Sequence, residues 1–440
     1  MESNALLNLG FASLGGEHYD EALDWSRLAY QEAESLGAED LAQRASGNIG
    51  WAYFQLGDSD RAQELFADAE RRAAALGNLR EQLRWLTTQG VVAQTNHDLA
   101  KASEVYLQTL NLSRQIDSKE DVVNSLESLA HVSIEQGQLN NAESYLRQVD
   151  PLIRANGNHL DALDVTLARG RIAAARRQDQ QAESLFRQVD ADPASQITMR
   201  LGAEHELARL FEVEGRGEDA RKEYVTALGT FESARAAIKT EDSKLPYFAN
   251  ATPIYDDSIR LLLSEGKIEE ALMEADQSRA RTLEQGLGVM GGNASVKEAA
   301  LRPESIAGKS GATLVFYWLG EKQSWLWAIT RQKTTVVPLP PRAEIARAVE
   351  RYRQALLGPE DPLRAHNADG LALYRVLVAP AKDLIPPSGK VIVLCDGDLS
   401  KLNFETLLVD SPSPHYWIED ADVVSAPSLR MLAIAKPARA

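Results

Sequence analysis

Small residues recur in pairs twelve positions apart along the first half of this chain: Gly10 and Ala22, Gly50 and Ala62, Gly90 and Ala102, Ala130 and Ala142, Gly170 and Ala182, Ala208 and Ala220. The alanines step by 40, 40, 40, 40 and 38 residues. Four residues after each alanine stands Ser26, Phe66, Tyr106, Leu146, Phe186 or Tyr224, and seven after it stands Ala29, Ala69, Thr109, Val149, Val189 or Ala227. A unit copied six times in register is a strong constraint. Small residues on two antiparallel helices let the backbones approach, and a bulky side chain one turn later fills the groove beside them. Each hairpin then presents an apolar face that only the next hairpin can cover, so the expected product is a stack of hairpins. The polar turns between them fit this reading. In Gln55-Leu56-Gly57-Asp58-Ser59-Asp60 and Glu135-Gln136-Gly137-Gln138-Leu139-Asn140, glycine supports the reversal and Asp or Asn can cap the next helix.

The pattern resembles the tetratricopeptide repeat, a unit of about 34 residues with small residues at its eighth, twentieth and twenty-seventh positions. The spacing inside the unit matches, and the longer period adds a little under one turn to each helix. The expected fold is multidomain, an α-α superhelix over residues 1–285 followed by an α/β part. Its units lie near 1–38, 39–78, 79–118, 119–158, 159–196 and 197–238, with irregular helices over 239–285. Repeats of this kind imply a protein or peptide partner held in a concave groove lined by the first helix of each unit. A pure spacer is the alternative. Six residues before each first-helix small position stand Arg44, Arg84, Asn124 and Asp164, and one after it stand Trp51, Val91, His131, Arg171 and Arg209. From these sets the groove candidates are Arg44, Trp51, Arg84, Asn124, His131, Arg171 and Arg209.

Charge separates the two parts. Residues 1–285 hold 29 Lys and Arg against 48 Asp and Glu, whereas residues 286–440 hold 18 against 16. The acidic first part repels phosphate backbones and has no basic run, so nucleic acid is not an expected partner. No stretch approaches the roughly eighteen apolar residues of a membrane helix, and the N-terminus lacks a basic start before an apolar run. No membrane association and a cytoplasmic location are expected. One cysteine, Cys395, excludes an internal disulfide framework and a cysteine-based zinc cluster.

After Ala227 the period breaks at Lys244-Leu245-Pro246 and Thr252-Pro253, and a helix pair follows that ends in Ser278-Arg279-Ala280-Arg281-Thr282-Leu283. Residues 286–310, rich in Gly, Ser and Ala, read as a linker. Ala312–Leu319, Trp325–Thr330 and Thr334–Leu339 then read as strands, Arg342–Leu357 and Leu371–Ile385 as helices, and Val391–Leu394 as a buried strand.

This order is similar to the first half of the CHAT domain, a caspase-like and separase-like module that follows such repeats in other proteins. The residues carrying the likeness are Ser278-Arg279-Ala280-Arg281-Thr282-Leu283, Leu314-Val315-Phe316-Tyr317, Trp327-Ala328-Ile329-Thr330, Leu373-Tyr374-Arg375-Val376-Leu377-Val378-Ala379-Pro380, Asp396-Gly397, Leu399 to Leu407 and Ala426-Pro427-Ser428-Leu429. Cys395 departs from the family, which has proline there. The resemblance implies a cysteine peptidase fold whose catalytic histidine and cysteine follow Ala-Pro-Ser-Leu, so the expectation is a partial CHAT domain over 311–440, with no activity, no catalytic residue, no metal and no cofactor in this chain. Cys395 reads as a small hydrophobe closing a strand, and His366 and His415 as loop histidines. Gly308-Lys309-Ser310 lacks the earlier glycine and following helix of a phosphate-binding loop. Asp396, Asp398 and Ser400 open like a calcium loop but continue with Lys401 and Leu407 at the glycine and glutamate positions.

Two functions follow from different classes. One is the sensing scaffold of a repeat-CHAT protein that regulates a peptidase. The other is a non-enzymatic adaptor with a small α/β cap. A repeat-bearing transcription regulator would need a helix-turn-helix or basic surface. Truncation of the sheet would leave an apolar edge open beside Val391–Leu394 and around Val423-Val424.

Overall fold

The computed structural model describes residues 2–15, 18–56, 58–237, 251–286 and 302–434. It divides into a unit ending at Ala249 and a unit beginning at Asn250. The first holds twelve helices among its described residues. They are α1 (Glu2–Gly15), α2 (Tyr19–Leu36), α3 (Glu39–Gln55), α4 (Ser59–Ala75), α5 (Leu79–Thr95), α6 (Leu99–Gln115), α7 (Lys119–Glu135), α8 (Leu139–Asn156), α9 (His159–Ala175), α10 (Asp179–Ala191), α11 (Ile197–Val213) and α12 (Gly217–Ala237).

Packing explains the sequence period. Ala62, Ala102, Ala142 and Ala182 are wholly buried, and so are Phe66, Leu146 and Phe186. A Cβ placed on Gly50 would stand 2.9 Å from the Phe66 ring, on Gly90 2.4 Å from Tyr106, and on Gly170 2.5 Å from Phe186. Gly50, Gly90 and Gly170 are therefore each the seat of the ring sixteen positions later. A second contact locks neighbouring repeats. The Trp85 indole lies over Gly47, where a Cβ would be 2.0 Å away, and its Nε1 donates to Gln43 Oε1 at 2.5 Å. Asp58, Asn78, Asp98, Ser118 and Asn158 accept backbone N–H bonds at the starts of α4, α5, α6, α7 and α9. Between hairpins the chain turns through left-handed residues at Gly37, Gly77, Asp117 and Gly157, spaced by the same period. Asp117 accepts there a conformation that favours glycine.

The second unit is an α/β layer structure. Its helices are α13 (Thr252–Ser264), α14 (Ile268–Gly286), α15 (Pro303–Ser310), α16 (Arg342–Leu357), α17 (Ala368–Leu377) and α18 (Leu429–Ile434). Its strands are β1 (Thr313–Trp318), β2 (Ser324–Ile329), β3 (Thr334–Leu339), β4 (Lys390–Leu394), β5 (Leu408–Val409), β6 (His415–Tyr416) and β7 (Asp422–Ser425). The main sheet runs β3-β2-β1-β4-β7; β1, β4 and β7 are parallel, and β2 and β3 add antiparallel. β5 and β6 form a separate pair. β1 is buried along its whole length because the sheet is covered on both faces. Val315, Tyr317, Val391 and Val393 pack against Ile345, Val349 and Tyr352 of α16 and Leu373 and Leu377 of α17. On the opposite face Trp318 Nε1 donates to Asp256 Oδ1 at 2.5 Å, and Trp327 Nε1 donates to the Ile268 carbonyl at 3.3 Å.

Three sequence expectations take a different form here. The sequence groups the irregular helices of 239–285 with the repeats, yet α13 and α14 sit in the second unit, since the aromatic face of its sheet needs their cover. The linker expected over 286–310 holds a helix at Pro303–Ser310; 287–301 lie outside the described residues. The helix expected over Leu371–Ile385 ends at Leu377 and becomes a 3-10 turn at Ala379–Leu384, as Pro380 cannot donate to an α-helical ladder.

The helix that carries the first of the sequence motifs meets the last one through Asp276, two residues before Ser278. Asp276, 1% exposed, accepts from Leu429 N at 2.6 Å and Arg430 N at 3.1 Å, capping α18 just after Ala426-Pro427-Ser428. The adjoining Ser278 is buried, while the side chains of Arg279 to Leu283 lie outside the described residues.

Candidate partner-binding groove

His131, Arg171 and Arg209 occupy one position of three successive hairpins, one residue after the small residue of the first helix. That register brings them onto one surface. They line a channel of about 650 Å³ with Ile134, Glu135, Ala174, Ala175, Arg177, Glu206, Leu210 and Val213, all from α7, α9, α11 and the turn after α9. His131 Nε2 lies 2.8 Å from Asp164 Oδ2, Arg171 Nε donates to Glu206 Oε1 at 3.0 Å, and Arg209 Nη1 stands 3.7 Å from Glu206 Oε2. Gln94 Nε2 donates to Glu135 Oε1 at 2.6 Å, tying α5 to the rim.

Burial would raise the Asp164 carboxyl, but the His131 hydrogen bond and the nearby His131 and Arg171 charges hold it below the usual carboxylate range. Glu127, one turn before His131, behaves oppositely: burial, then Asp164 and Asp161, push its carboxyl up to about 8. Beside these polar side chains, held by their neighbours, Ile134, Ala174, Leu210 and Val213 give the channel an apolar part. Such a surface is set to accept the backbone and side chains of an extended segment with little ordering cost.

Of the seven sequence candidates, the channel joins three. Trp51 instead packs edge-on to Phe54 and Phe66, each centroid 5.7 Å away. Arg84 is exposed, its guanidinium 4.7 Å from the Trp85 ring centroid and its Nη1 3.7 Å from Glu81. Arg44 is half-buried and Asn124 exposed, and neither lines this channel. Sequence reasoning missed Glu135, Ala175 and Val213. They stand four residues after His131, Arg171 and Arg209, so extending the same helical face by one turn points to them.

In the second unit, Cys395 directly follows β4, half-buried against the core. Asp396 Oδ2 accepts from Leu319 N at 2.6 Å, and Asp398 pairs with Lys401 and Arg342, so both acids hold turns at the strand ends. His415 lies 3.0 Å from Asp420, and His366 sits in a left-handed turn before α17. Gly308-Lys309-Ser310 closes α15 ahead of β1.

Stacked hairpins in one register, with a channel across their first helices, define an α-α repeat architecture. The tetratricopeptide repeat family matches residues 43–75, within α3 and α4. A comparison with curated proteins finds no match. Among solved structures, the chain is similar to the apo form of RapI, at 12% identity over 66% of this chain and 100% of that one with a TM-score of 0.48. It is also similar to a tetratricopeptide repeat protein from Parabacteroides merdae, at 14% identity over 67% and 95% with a TM-score of 0.43. A Rap protein complexed with Competence and Sporulation Factor is 14% identical over 65% and 77%, with a TM-score of 0.44. No helix among the described residues is long and apolar enough to cross a membrane.

Proposed function

We propose that the solenoid is a protein-interaction scaffold, and that the α7, α9 and α11 channel holds an extended segment of a protein partner. The observation carrying this reading is the convergence of His131, Arg171 and Arg209 on one channel that Ile134, Ala174, Leu210 and Val213 also line. The finer reading is that the scaffold is the sensing part of a repeat-CHAT protein, with the α/β unit as the first half of the caspase-like module whose peptidase it regulates. The parallel β1-β4-β7 arrangement and the contact between the Asp276 helix and Ala426-Pro427-Ser428-Leu429 support it. Cys395 is not the nucleophile on this reading.

The adaptor reading has its own support. β7 pairs alongside β4 and fills the edge expected to lie open, and helices cover both sheet faces. Val424, 40% exposed, is the apolar residue left on that edge strand.

Selection of displayed peptides on the full chain, followed by affinity measurement, tests the scaffold. Arg171→Ala with Arg209→Ala should weaken selected peptides at least about tenfold. Arg187→Ala, which removes a 2.6 Å contact to Glu223 away from the channel, should not. Failure to select any peptide, or selected peptides indifferent to the channel pair, refutes the proposal.

A further inference from the structure

A second cleft, of about 480 Å³, opens at the N-terminal ends of the parallel strands β1 and β4. Its walls come from four chain segments: the end of α15, the β2–β3 turn, the start of β4, and the 3-10 turn that follows α17. Arg331 and Lys333 project from the turn and Lys390 from β4, with Asp383 the one acidic lining residue. Lys309 adjoins the lining residue Gly308. Among the described residues no carboxylate stands within 4.0 Å of Arg331, Lys333 or Lys390; Arg342, Arg351, Arg353, Arg375 and Lys401 of the same unit are paired, while Lys322, Arg347 and Lys382 are single cations spread over its surface. Residues 286–440 hold 16 Asp and Glu for 18 Lys and Arg, nearly one for one, so three cations left unpaired together on one cleft need an explanation.

The backbone beneath them is fixed. Thr330 N donates to the Lys333 carbonyl at 2.9 Å, and Thr330 Oγ1 accepts from Gln332 N and Lys333 N, which closes the turn. On the opposite wall Gly389 N donates to the Pro386 carbonyl at 2.8 Å, and Thr313 Oγ1 to the Leu384 carbonyl at 2.8 Å. Gly308, Gly311 and Gly389 lack side chains that would narrow the approach.

We infer that this cleft binds a compact, multiply charged phosphate compound. Cations from separate segments around one cavity suit an anion whose charge is concentrated, and the Arg331 fork matches two phosphate oxygens. The volume falls in the range of small-ligand sites. A long polyanion would need a basic track beyond the cleft, and the sequence has no Lys/Arg run to supply one.

Titration calorimetry of the full chain with tripolyphosphate, inorganic phosphate and a hexa-glutamate peptide tests this at low and raised salt. Tripolyphosphate should bind more tightly than inorganic phosphate, and Arg331→Ala or Lys390→Ala should each weaken it at least about fivefold. Lys322→Ala, an exposed cation of the same unit outside the cleft, should leave it unchanged, and circular dichroism should show all three variants folded. Absence of tripolyphosphate binding, equal loss with Lys322→Ala, or preference for the glutamate peptide overturns the assignment.

Discussion

Adding one methyl group at Gly170 tests the packing rule of the whole solenoid. The new Cβ would stand 2.5, 2.7 and 3.2 Å from three ring atoms of Phe186, which is wholly buried and has no space to swing into. Overpacking of this kind costs about 1–3 kcal/mol. Replacing a mid-helix glycine by alanine offsets about 0.5–1 kcal/mol of that through backbone entropy. The net expectation for Gly170→Ala is a loss of roughly 1–2 kcal/mol, toward the lower end because Ala208 already faces Tyr224 in the sixth repeat. Phe186→Leu alone should also destabilise, by about 1 kcal/mol of lost buried surface. Together the two should cost less than their sum by roughly 1 kcal/mol or more, since the pair recreates the Ala130 and Leu146 combination of the fourth repeat. Urea unfolding of the full chain and its variants, followed by helical circular dichroism, measures each midpoint. Strict additivity would show that the glycine does not serve as the seat of the ring.

Two other outcomes follow from the same contacts. Burial, reinforced by Asp190 and partly opposed by the Thr230 hydroxyl, pushes the Glu204 carboxyl up to about 7. The folded chain thus holds this proton more tightly than the unfolded one, so its contribution is complete below the ordinary glutamate value and is lost as pH rises through about 7, at up to roughly 1.4 kcal/mol per unit. Glu204→Gln should flatten urea midpoints between pH 5 and pH 8, and an unchanged slope would contradict the assignment. Separately, a 250–440 fragment should fold, whereas 311–440 should expose Phe316, Trp318 and Trp327 and bind an apolar dye; a cooperatively folded 311–440 fragment would show that α13 and α14 are dispensable.

The channel was legible only in part. His131, Arg171 and Arg209 followed from register, because a helical position repeated at constant spacing must recur on one face. Trp51 occupies the same register but its indole turns to Phe66, a choice made by the cavity available rather than by periodicity. Glu206 acquires its role from a pairing with Arg171 thirty-five residues away, which no pattern within one repeat announces.

The sequence by itself determined the hairpin stack, since its defining contacts join residues within one repeat or in adjacent copies, and a copied unit displays them as a period. Tertiary structure alone decided where residues 252–286 belong. Their partners are Trp318, 62 residues from Asp256, and Leu429, 153 residues from Asp276. A helix face that is apolar enough for a neighbouring hairpin is equally apolar for a sheet, and the hydrogen bonds that Asp256 and the Ile268 carbonyl accept from the indoles of β1 and β2, with the cap that Asp276 gives α18, select the second.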